Sequence, residues 1–171
     1  MAGDFLKLVG GVLSEALAIV TTAGAGDAGK IVKTDAAGKL DASLMPDGIA
    51  AEQRDLVASE ALSAGDLVNV WDDAGTAKMR KADADTISKK AHGFVKDAVS
   101  SGATGKIYPE ENVITGLSGL TIGATYFLSQ TAGGVTTTAP TGANVISQSV
   151  GYALSATELL FRPGSPIVQV A

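Results

Sequence analysis

The sequence predicts an all-β protein, a compact barrel or sandwich of about eight or more short, mainly antiparallel strands that follow an N-terminal arm. Short runs of alternating apolar and polar residues recur from residue 64 onwards, separated by Gly, Asn, Asp or Pro turn signals. No long amphipathic stretch lies between these runs, which excludes a βαβ protein. We expect residues 1–49 to form the arm, 50–63 a linker and 64–171 the β-domain.

The arm is predicted to contain a short helix, a hinge and a hairpin. Apolar residues between 5 and 20 follow the i, i+3, i+4 spacing of an amphipathic helix. The glycine-rich stretch 23–29 is expected to be a flexible hinge. The runs on either side of Asp35-Ala36-Ala37-Gly38 predict a β-hairpin over residues 30–42, with Gly38 at positive φ. A hairpin this short is marginal alone, so it needs a surface to lie on.

The apolar stretch 5–20 also has about the length of the hydrophobic region of a secretory signal. Lys7 and Glu15 interrupt it, and Asp4 stands where a signal peptide carries positive charge. No window of the chain approaches the ~20 mostly apolar residues of a spanning helix. We therefore expect synthesis in the cytoplasm and no membrane partner.

The β-domain is predicted from short runs in chain order. Residues 50–63 fit either a short helix or an extended linker, because their alternation does not decide. The predicted strands are 67–71, 77–82, 91–96, 106–108, 112–115, 123–129, 135–138, 145–150, 151–154 and 158–161.

The chain contains few of the side chains that commonly act in catalysis. The chain has no Cys and one His, which excludes disulfides, iron–sulfur clusters, thiolate zinc sites and poly-His metal sites. Its net charge of −5 and 5% aromatic content argue against a nucleic-acid binder. We expect no enzyme activity, cofactor, metal or nucleic-acid partner.

One glycine-rich motif resembles a nucleotide-binding loop. Residues 24–30, G-A-G-D-A-G-K, match both G-x-G-x-x-G and the start of a P-loop. Ile31 stands where the P-loop needs a hydroxyl, and the pattern that follows predicts a hairpin rather than a helix. A hinge is the favoured interpretation.

Other polar residues have ordinary structural interpretations beside functional ones. His92 is the one candidate imidazole base, but a lone strand histidine is more often the partner of a carbonyl or a carboxylate than a catalyst. Asp72-Asp73 and the pair Asp83 and Asp85 do not fit a calcium loop, which favours solvated turns. Six cations between residues 78 and 96 indicate a solvated face or a patch for an acidic protein.

Residues 112–157 contain no charged side chain. Exposed sheet edges are normally guarded by charges or Pro, and Pro140 alone is available there. Obligate interfaces are depleted in charge at their centres. The run therefore predicts a homo-oligomer contact, most simply around a threefold axis, with candidate residues Tyr126, Leu128, Val135, Val145 and Ile146.

Several segments together resemble a known family. They are A-G-D-L-V-N-V-W (64–71), K-A-H-G-F-V (90–95), G-L-S-G-L-T-I-G-A-T-Y-F-L-S (116–129), G-G-V-T-T-T-A-P (133–140) and V-G-Y-A-L-S-A-T-E-L-L-F (150–161). This cadence resembles the β-domain of tailed-bacteriophage virion proteins: capsid decoration (cement) proteins, head fibres and some tail-fibre segments. The arm segment G-K-I-V-K-T-D-A-A-G-K-L-D-A-S-L-M-P (29–46) is similar to an element common in such proteins.

The resemblance implies a virion structural protein on the outer capsid surface. It implies non-covalent binding across neighbouring major capsid proteins, which decorates and stabilises the capsid as a homotrimer. The expected capsid contacts lie in the arm and are Phe5, Leu8, Val9, Val12, Leu13, Leu17, Ile31, Val32, Leu40, Leu44 and Met45. A head or tail fibre segment that contacts the host surface is the alternative. A small carbohydrate-binding or hydrolytic β-domain is the alternative from another class.

Overall fold

A computed structural model describes residues 4–45 and 53–169 and confirms the all-β fold class. The strands are β1 (Asp4–Val9), β2 (Val12–Leu17), β3 (Arg54–Ala58), β4 (Leu67–Asp73), β5 (Thr76–Lys81), β6 (Gly93–Phe94), β7 (Thr104–Ile107), β8 (Asn112–Ile114), β9 (Thr125–Leu128), β10 (Val135–Thr136), β11 (Ile146–Ser147), β12 (Ser149–Ala153), β13 (Leu159–Phe161) and β14 (Ile167–Val168). Two 3-10 turns cover Ala25–Asp27 and Ala42–Leu44. Contacts divide the chain into an N-terminal unit, Met1–Ala51, and a C-terminal unit, Glu52–Ala171.

The N-terminal unit begins with a β-hairpin, so the predicted helix over residues 5–20 is wrong. Strands β1 and β2 pair antiparallel, with Leu8 opposite Leu13 and Val9 opposite Val12. Gly10 and Gly11 form the two-residue turn with φ of 58° and 85°, which suits a hairpin turn and weakens a helix. Residues 5–20 are apolar at so many positions that they match the spacing of a helix and that of a strand equally well.

The predicted hairpin at residues 30–42 is wrong in its strands and right in its turn. The Asp35 amide donates to the Lys39 carbonyl at 2.8 Å, and Gly38 has φ of 75°. Asp35 Oδ1 also accepts the Ala37 and Lys39 amides at 2.8 and 2.9 Å. The Asp35 side chain thus accepts the Lys39 amide, which would otherwise be available for backbone pairing between strands. Val32 makes the one β-bridge described in this segment, parallel to Ile19.

The first sheet of the C-terminal unit has the strand order β6-β4-β5-β3-β7 and is antiparallel except for the β3–β5 pair. Phe94 and Tyr108 exchange two backbone hydrogen bonds of 3.0 and 2.9 Å. These bonds join β6 to the residue that follows β7 and nearly close the sheet into a barrel. Its interior cluster contains Ala58, Leu62, Val68, Met79, Val95, Val99 and Ile107. A Cβ on Gly105 would collide with Val99, so this position needs glycine.

Strand β3 corrects the predicted linker at 50–63. Residues 54–58 lie between β5 and β7 in the first sheet, and Leu62 belongs to its interior. Residues 50–52 fall outside the described part of the chain. The partner of β3 on one side is β7, about 50 residues further along the chain, and a local sequence pattern contains no sign of such a pairing.

The second sheet has the strand order β10-β9-β12-β13-β8, and β11 pairs separately with β14. A core cluster joins the two five-stranded sheets, with Leu67 and Phe94 from the first and Leu128, Val150 and Phe161 from the second. The Phe94 and Phe161 rings meet edge to face, with centroids 5.7 Å apart. The second sheet therefore has one face in the core and an opposite face, which we call the outer face.

Candidate interaction surfaces

The N-terminal hairpin presents four leucines on one of its faces. In the β1–β2 register, Leu8 lies opposite Leu13, Leu6 opposite Glu15, and Leu17 opposite Asp4. Residues opposite each other in antiparallel strands share a face, as do residues two apart along one strand. Leu6, Leu8, Leu13 and Leu17 are exposed by 69, 68, 67 and 72%. We call these four side chains the leucine face.

The leucine face includes one residue that the sequence analysis missed. Leu6 does not match the helical spacing used to choose contact residues, although it lies two residues from Leu8 along a strand. Side chains two residues apart on a strand share a face. Together with Gly10-Gly11 as a hairpin turn, this strand spacing identifies Leu6. Val9 and Val12 lie on the opposite face and are exposed by 54 and 68%.

The other predicted capsid contacts follow the hairpin along the chain. Ile31, Val32, Leu40 and Met45 are exposed by 38, 44, 47 and 37%, and Leu44 is half-buried. The side chain of Phe5 lies outside the described part. Where described, these candidates remain accessible within the N-terminal unit.

Local hydrogen bonds organise the N-terminal unit. None of the side chains described between residues 6 and 45 is buried. The Lys30 ammonium and the Ala23 amide bind Asp27 and lower the pKa of its carboxyl. The Ser43 hydroxyl and amide lower the pKa of Asp41. Local hydrogen bonds thus shape these turns, and the described apolar side chains of the unit are exposed or half-buried.

The residues predicted to form the contact between copies of the chain were chosen wrongly. Tyr126, Leu128, Val145 and Ile146 are buried, with at most 7% of any of them exposed, and Val135 packs half-buried against the core. Side chains that a chain already covers cannot form a contact with a second copy. Alternate residues of a strand point to opposite faces, and the choice made from sequence took the inner set.

His92 binds the part of strand β4 that extends beyond its short pairing with β6. Its Nδ1 accepts the Val70 amide at 2.9 Å and lies 3.3 Å from the Asn69 side-chain amide. Burial, and then the charge of Lys90, lower the pKa of His92. The neutral ring, protonated on Nε2, is the form that accepts the amide. The contacts described for the ring are thus with amide groups, whereas the sequence predicted a carbonyl or carboxylate partner.

The glycine-rich segment 24–30 forms a short 3-10 turn at Ala25–Asp27. The Lys30 ammonium pairs with Asp27. The residues that follow, 31–41, contain no helix. The helix N-terminus that both nucleotide-binding motifs require is therefore missing from this segment.

The acidic residues singled out by sequence have local partners. Asp72 accepts the Gly75 amide at 2.9 Å in the β4–β5 turn, and Asp73 pairs with Lys78. Asp83 pairs with Lys89 at 2.9 Å, and Asp85 accepts the side-chain amide of Gln130 at 2.7 Å. Among the described residues no group of three or more potential ligands could hold a metal ion.

The basic residues between 78 and 96 are largely engaged within the chain. Lys78, Lys81 and Lys89 form ion pairs with Asp73, Asp66 and Asp83. The Arg80 guanidinium lies 4.8 Å from the centroid of Trp71, and the Lys96 ammonium 4.2 Å from that of Tyr108. Because these charges are compensated internally, the solvated-face interpretation fits better than an acidic partner.

Two depressions in the surface of the described residues are lined by none of the contact residues predicted from sequence. One is lined by residues 97–100 and 103–106, another by residues around Ser129–Thr131 and Thr138–Thr141, and His92 lines neither. No helix in the described ranges has the length and apolar character to cross a bilayer.

Comparisons with known proteins give one similar structure. No family model matches the chain, and no curated protein matches it. The crystal structure of the N base of head fiber gp8.5 in bacteriophage phi29 matches with a TM-score of 0.43 and 16% identity. The match covers 68% of this chain and 92% of that chain. At this level the similarity itself assigns no function to the chain.

Proposed function

We propose that this chain is a bacteriophage virion structural protein that decorates the outer capsid surface. In this proposal the N-terminal unit binds non-covalently across neighbouring major capsid proteins and stabilises them. The observation that carries the proposal is the leucine face, which is about 70% exposed on a hairpin whose unit has no described buried side chain. It is supported by the segments that resemble phage virion proteins, at residues 29–46, 64–71, 90–95, 116–129, 133–140 and 150–161.

The hairpin fits a partner that offers an apolar groove and a cation or hydrogen-bond donor for Glu15, which shares the leucine face. Large apolar patches on a protein surface mark interaction sites. A two-stranded hairpin is marginal alone and gains order from the surface that it covers. In the described residues β1 and β2 pair only with each other, so their outer backbone edges are open to a strand of the partner.

The energetics favour an arm that acts in several copies. Covering one exposed leucine contributes about 2 kcal/mol, so the leucine face contributes roughly 8 kcal/mol. Association costs an estimated ~4–15 kcal/mol, which leaves a single arm a weak binder. Linking arms through self-association of the chain, most simply as a trimer, raises the effective concentration of each arm at neighbouring capsid sites.

Truncation tests the proposal. Full-length chain and a chain lacking residues 1–49 are mixed with capsids of the corresponding phage and sedimented, after circular dichroism has confirmed that the truncated chain is folded. We expect the full chain to sediment with capsids and the truncated chain to stay in the supernatant. Equal occupancy by both would contradict the assignment of capsid binding to the arm.

The fibre alternative is separated by electron microscopy of the same complexes. Density that lies across neighbouring capsid subunits supports decoration. Density that contacts the capsid at its base alone and projects outward supports a head fibre.

A further inference from the structure

The outer face of the second sheet carries a continuous row of uncharged side chains across four strands. Val113 on β8 lies opposite Leu160 on β13, Leu160 lies opposite Tyr152 on β12, and Tyr152 lies opposite Thr125 on β9. Their chain neighbours Ile114, Leu159, Ala153 and Tyr126 are buried in the core. The row therefore points away from the core, and Tyr152 at its centre is 40% exposed.

Further apolar side chains extend this row. Leu154 lies two residues from Tyr152 and is 44% exposed. The Gly123 amide donates to the Ala153 carbonyl at 2.9 Å, which holds the loop containing Ile122 beside the end of β12. Ile122 is 70% exposed. Phe127, half-buried between two buried neighbours on β9, also belongs to the outer face.

Charged groups lie only at the margins of this patch. Glu158 lies opposite Leu154 at one end, where its carbonyl accepts the Leu154 amide at 2.9 Å. At the other end Arg162 and Glu111 neutralise each other in an ion pair of 3.0 Å. An apolar centre with an aromatic residue and a polar margin is the usual anatomy of a protein–protein interface.

The absence of charge favours a second copy of this chain as the occupant. The chain has a net charge of −5, so two copies repel each other on average. They approach with least repulsion through surfaces without charge. Two identical uncharged patches also bring no like charges together and bury no unpaired ion.

The first sheet offers a contrasting surface. Its pairs Asn69–Arg80 and Trp71–Lys78 place cations on the side away from the barrel interior. Two copies meeting there would have to remove these cations and the Lys78–Asp73 ion pair from water, a cost that uncharged side chains do not carry. Four strands of the uncharged run 112–157, β8, β9, β10 and β12, thus lie in the second sheet, and Leu160 on β13 completes the row on its outer face.

We infer that the outer face of the second sheet, centred on Tyr152 with Ile122, Leu154 and Leu160 around it, is the contact between copies of this chain. On β9 and β13 the outer-face residues are Thr125, Phe127 and Leu160, which are chain neighbours of the buried Tyr126 and Leu159. This inference deepens the self-association included in the proposed function, and it concerns the chain without its capsid.

Sedimentation equilibrium of the full chain tests the inference. We expect an oligomer at micromolar concentration for the unchanged chain. Tyr152→Glu combined with Ile122→Glu should weaken association at least about 100-fold, because it places carboxylates of both copies in one contact. Ile87→Glu is the matched control, since Ile87 is 48% exposed and lies outside the second sheet, and it should leave association unchanged. A monomeric unchanged chain, or a folded double variant that assembles normally, overturns the inference.

Thiol labelling provides a second readout that does not depend on a charged substitution. The chain has no Cys, so Leu154→Cys and Ile87→Cys each carry a single thiol. We expect maleimide to react at least about tenfold more slowly with the thiol at 154 in concentrated than in dilute protein, with no change at 87. Equal rates at 154 at both concentrations overturn the inference.

Neither assay contains capsids. Failure of the Tyr152-centred contact therefore leaves the capsid-sedimentation result intact, and failure of capsid binding leaves the association constants intact. The two proposals are thus tested separately.

Discussion

The two units of this chain use similar apolar residues in opposite ways. In the C-terminal unit Leu67, Leu128 and Leu159 are fully buried in a core shared by two five-stranded sheets. In the N-terminal unit Leu8 and Leu13 are 68 and 67% exposed, and no described side chain is buried. Leucine content does not distinguish a core from a docking surface. The distinction comes from whether further strands of the same chain cover the apolar face.

Two hairpins show this difference at the level of single elements. The β1–β2 hairpin turns at Gly10-Gly11, and the β4–β5 hairpin turns at Ala74-Gly75, all at positive φ. The second hairpin has β6 on one side and β3 on the other, and its residues enter both core clusters. The first has no described strand on either side. Local turn chemistry makes both hairpins, and long-range pairing stabilises one of them.

The largest expected effect is at Gly151, where the C-terminal unit allows no side chain. Gly151 has φ of 140°, and a Cβ there would collide with the Leu160 carbonyl oxygen on the neighbouring strand. Gly151→Ala should lower the free energy of unfolding by about 4 kcal/mol or more, measured by urea denaturation. Gly26→Ala, in the N-terminal unit with open space around the Cβ position and no positive φ, is the control and should change it by less than about 0.5 kcal/mol. An equal change in the free energy of unfolding for both variants would contradict the difference in packing between the two units.

The same substitution, leucine to alanine, should have different effects in the two units. Leu128→Ala should lower the free energy of unfolding by about 3 kcal/mol, because Leu128 is fully buried and leaves a cavity. Leu13→Ala should change it by less than about 0.5 kcal/mol, because Leu13 is largely exposed. Urea denaturation of both variants, followed by the fluorescence of Trp71 in the C-terminal unit, measures the difference. A loss at Leu13 as large as that at Leu128 would mean that the leucine face is already covered in the free protein.

Local patterns predicted much of the C-terminal unit. Leu67–Asp73 and Thr76–Lys81 alternate around a turn of Asp, Ala and Gly, so strands and turn follow from adjacent residues. Strand β3 was missed because its partners are distant in sequence. The helix predicted for the arm failed because its residues are apolar at almost every position. In such a segment the two glycines of the turn carry more information than the spacing.

The candidate surfaces were predicted less completely than the fold. The arm residues Leu8, Leu13 and Leu17, predicted as capsid contacts on a helix, are exposed on strands, and their contact with a capsid stays a prediction. In the uncharged run the choice of Tyr126 and Leu128 took the buried set. Because a strand has a period of two, an error of one residue exchanges the core for the surface.

The smallest expected effect concerns pH and the C-terminal unit. The pKa of His92 is lowered in the folded chain by burial and by Lys90, whereas the unfolded chain has the usual value of about 6.5. Between the lowered pKa and pH 6.5 the unfolded state binds more protons, so stability falls as the pH decreases below about 6.5. The loss should be small, because much of His92 is exposed. Denaturation of the unchanged chain and of His92→Gln across this range measures it. A loss of stability identical in both would assign the pH dependence to other groups.

The proposed capsid binding depends on the leucine face of the N-terminal hairpin. Leu8→Ser combined with Leu13→Ser removes two opposed residues from it, and Lys7→Ser is a control on the opposite face of the same hairpin. Capsid sedimentation across a range of protein concentrations gives the affinity of each variant. We predict at least about 100-fold weaker capsid binding for the double variant, with unchanged unfolding of the C-terminal unit and unchanged binding for Lys7→Ser. Capsid binding by the double variant at the full-chain affinity would contradict the account.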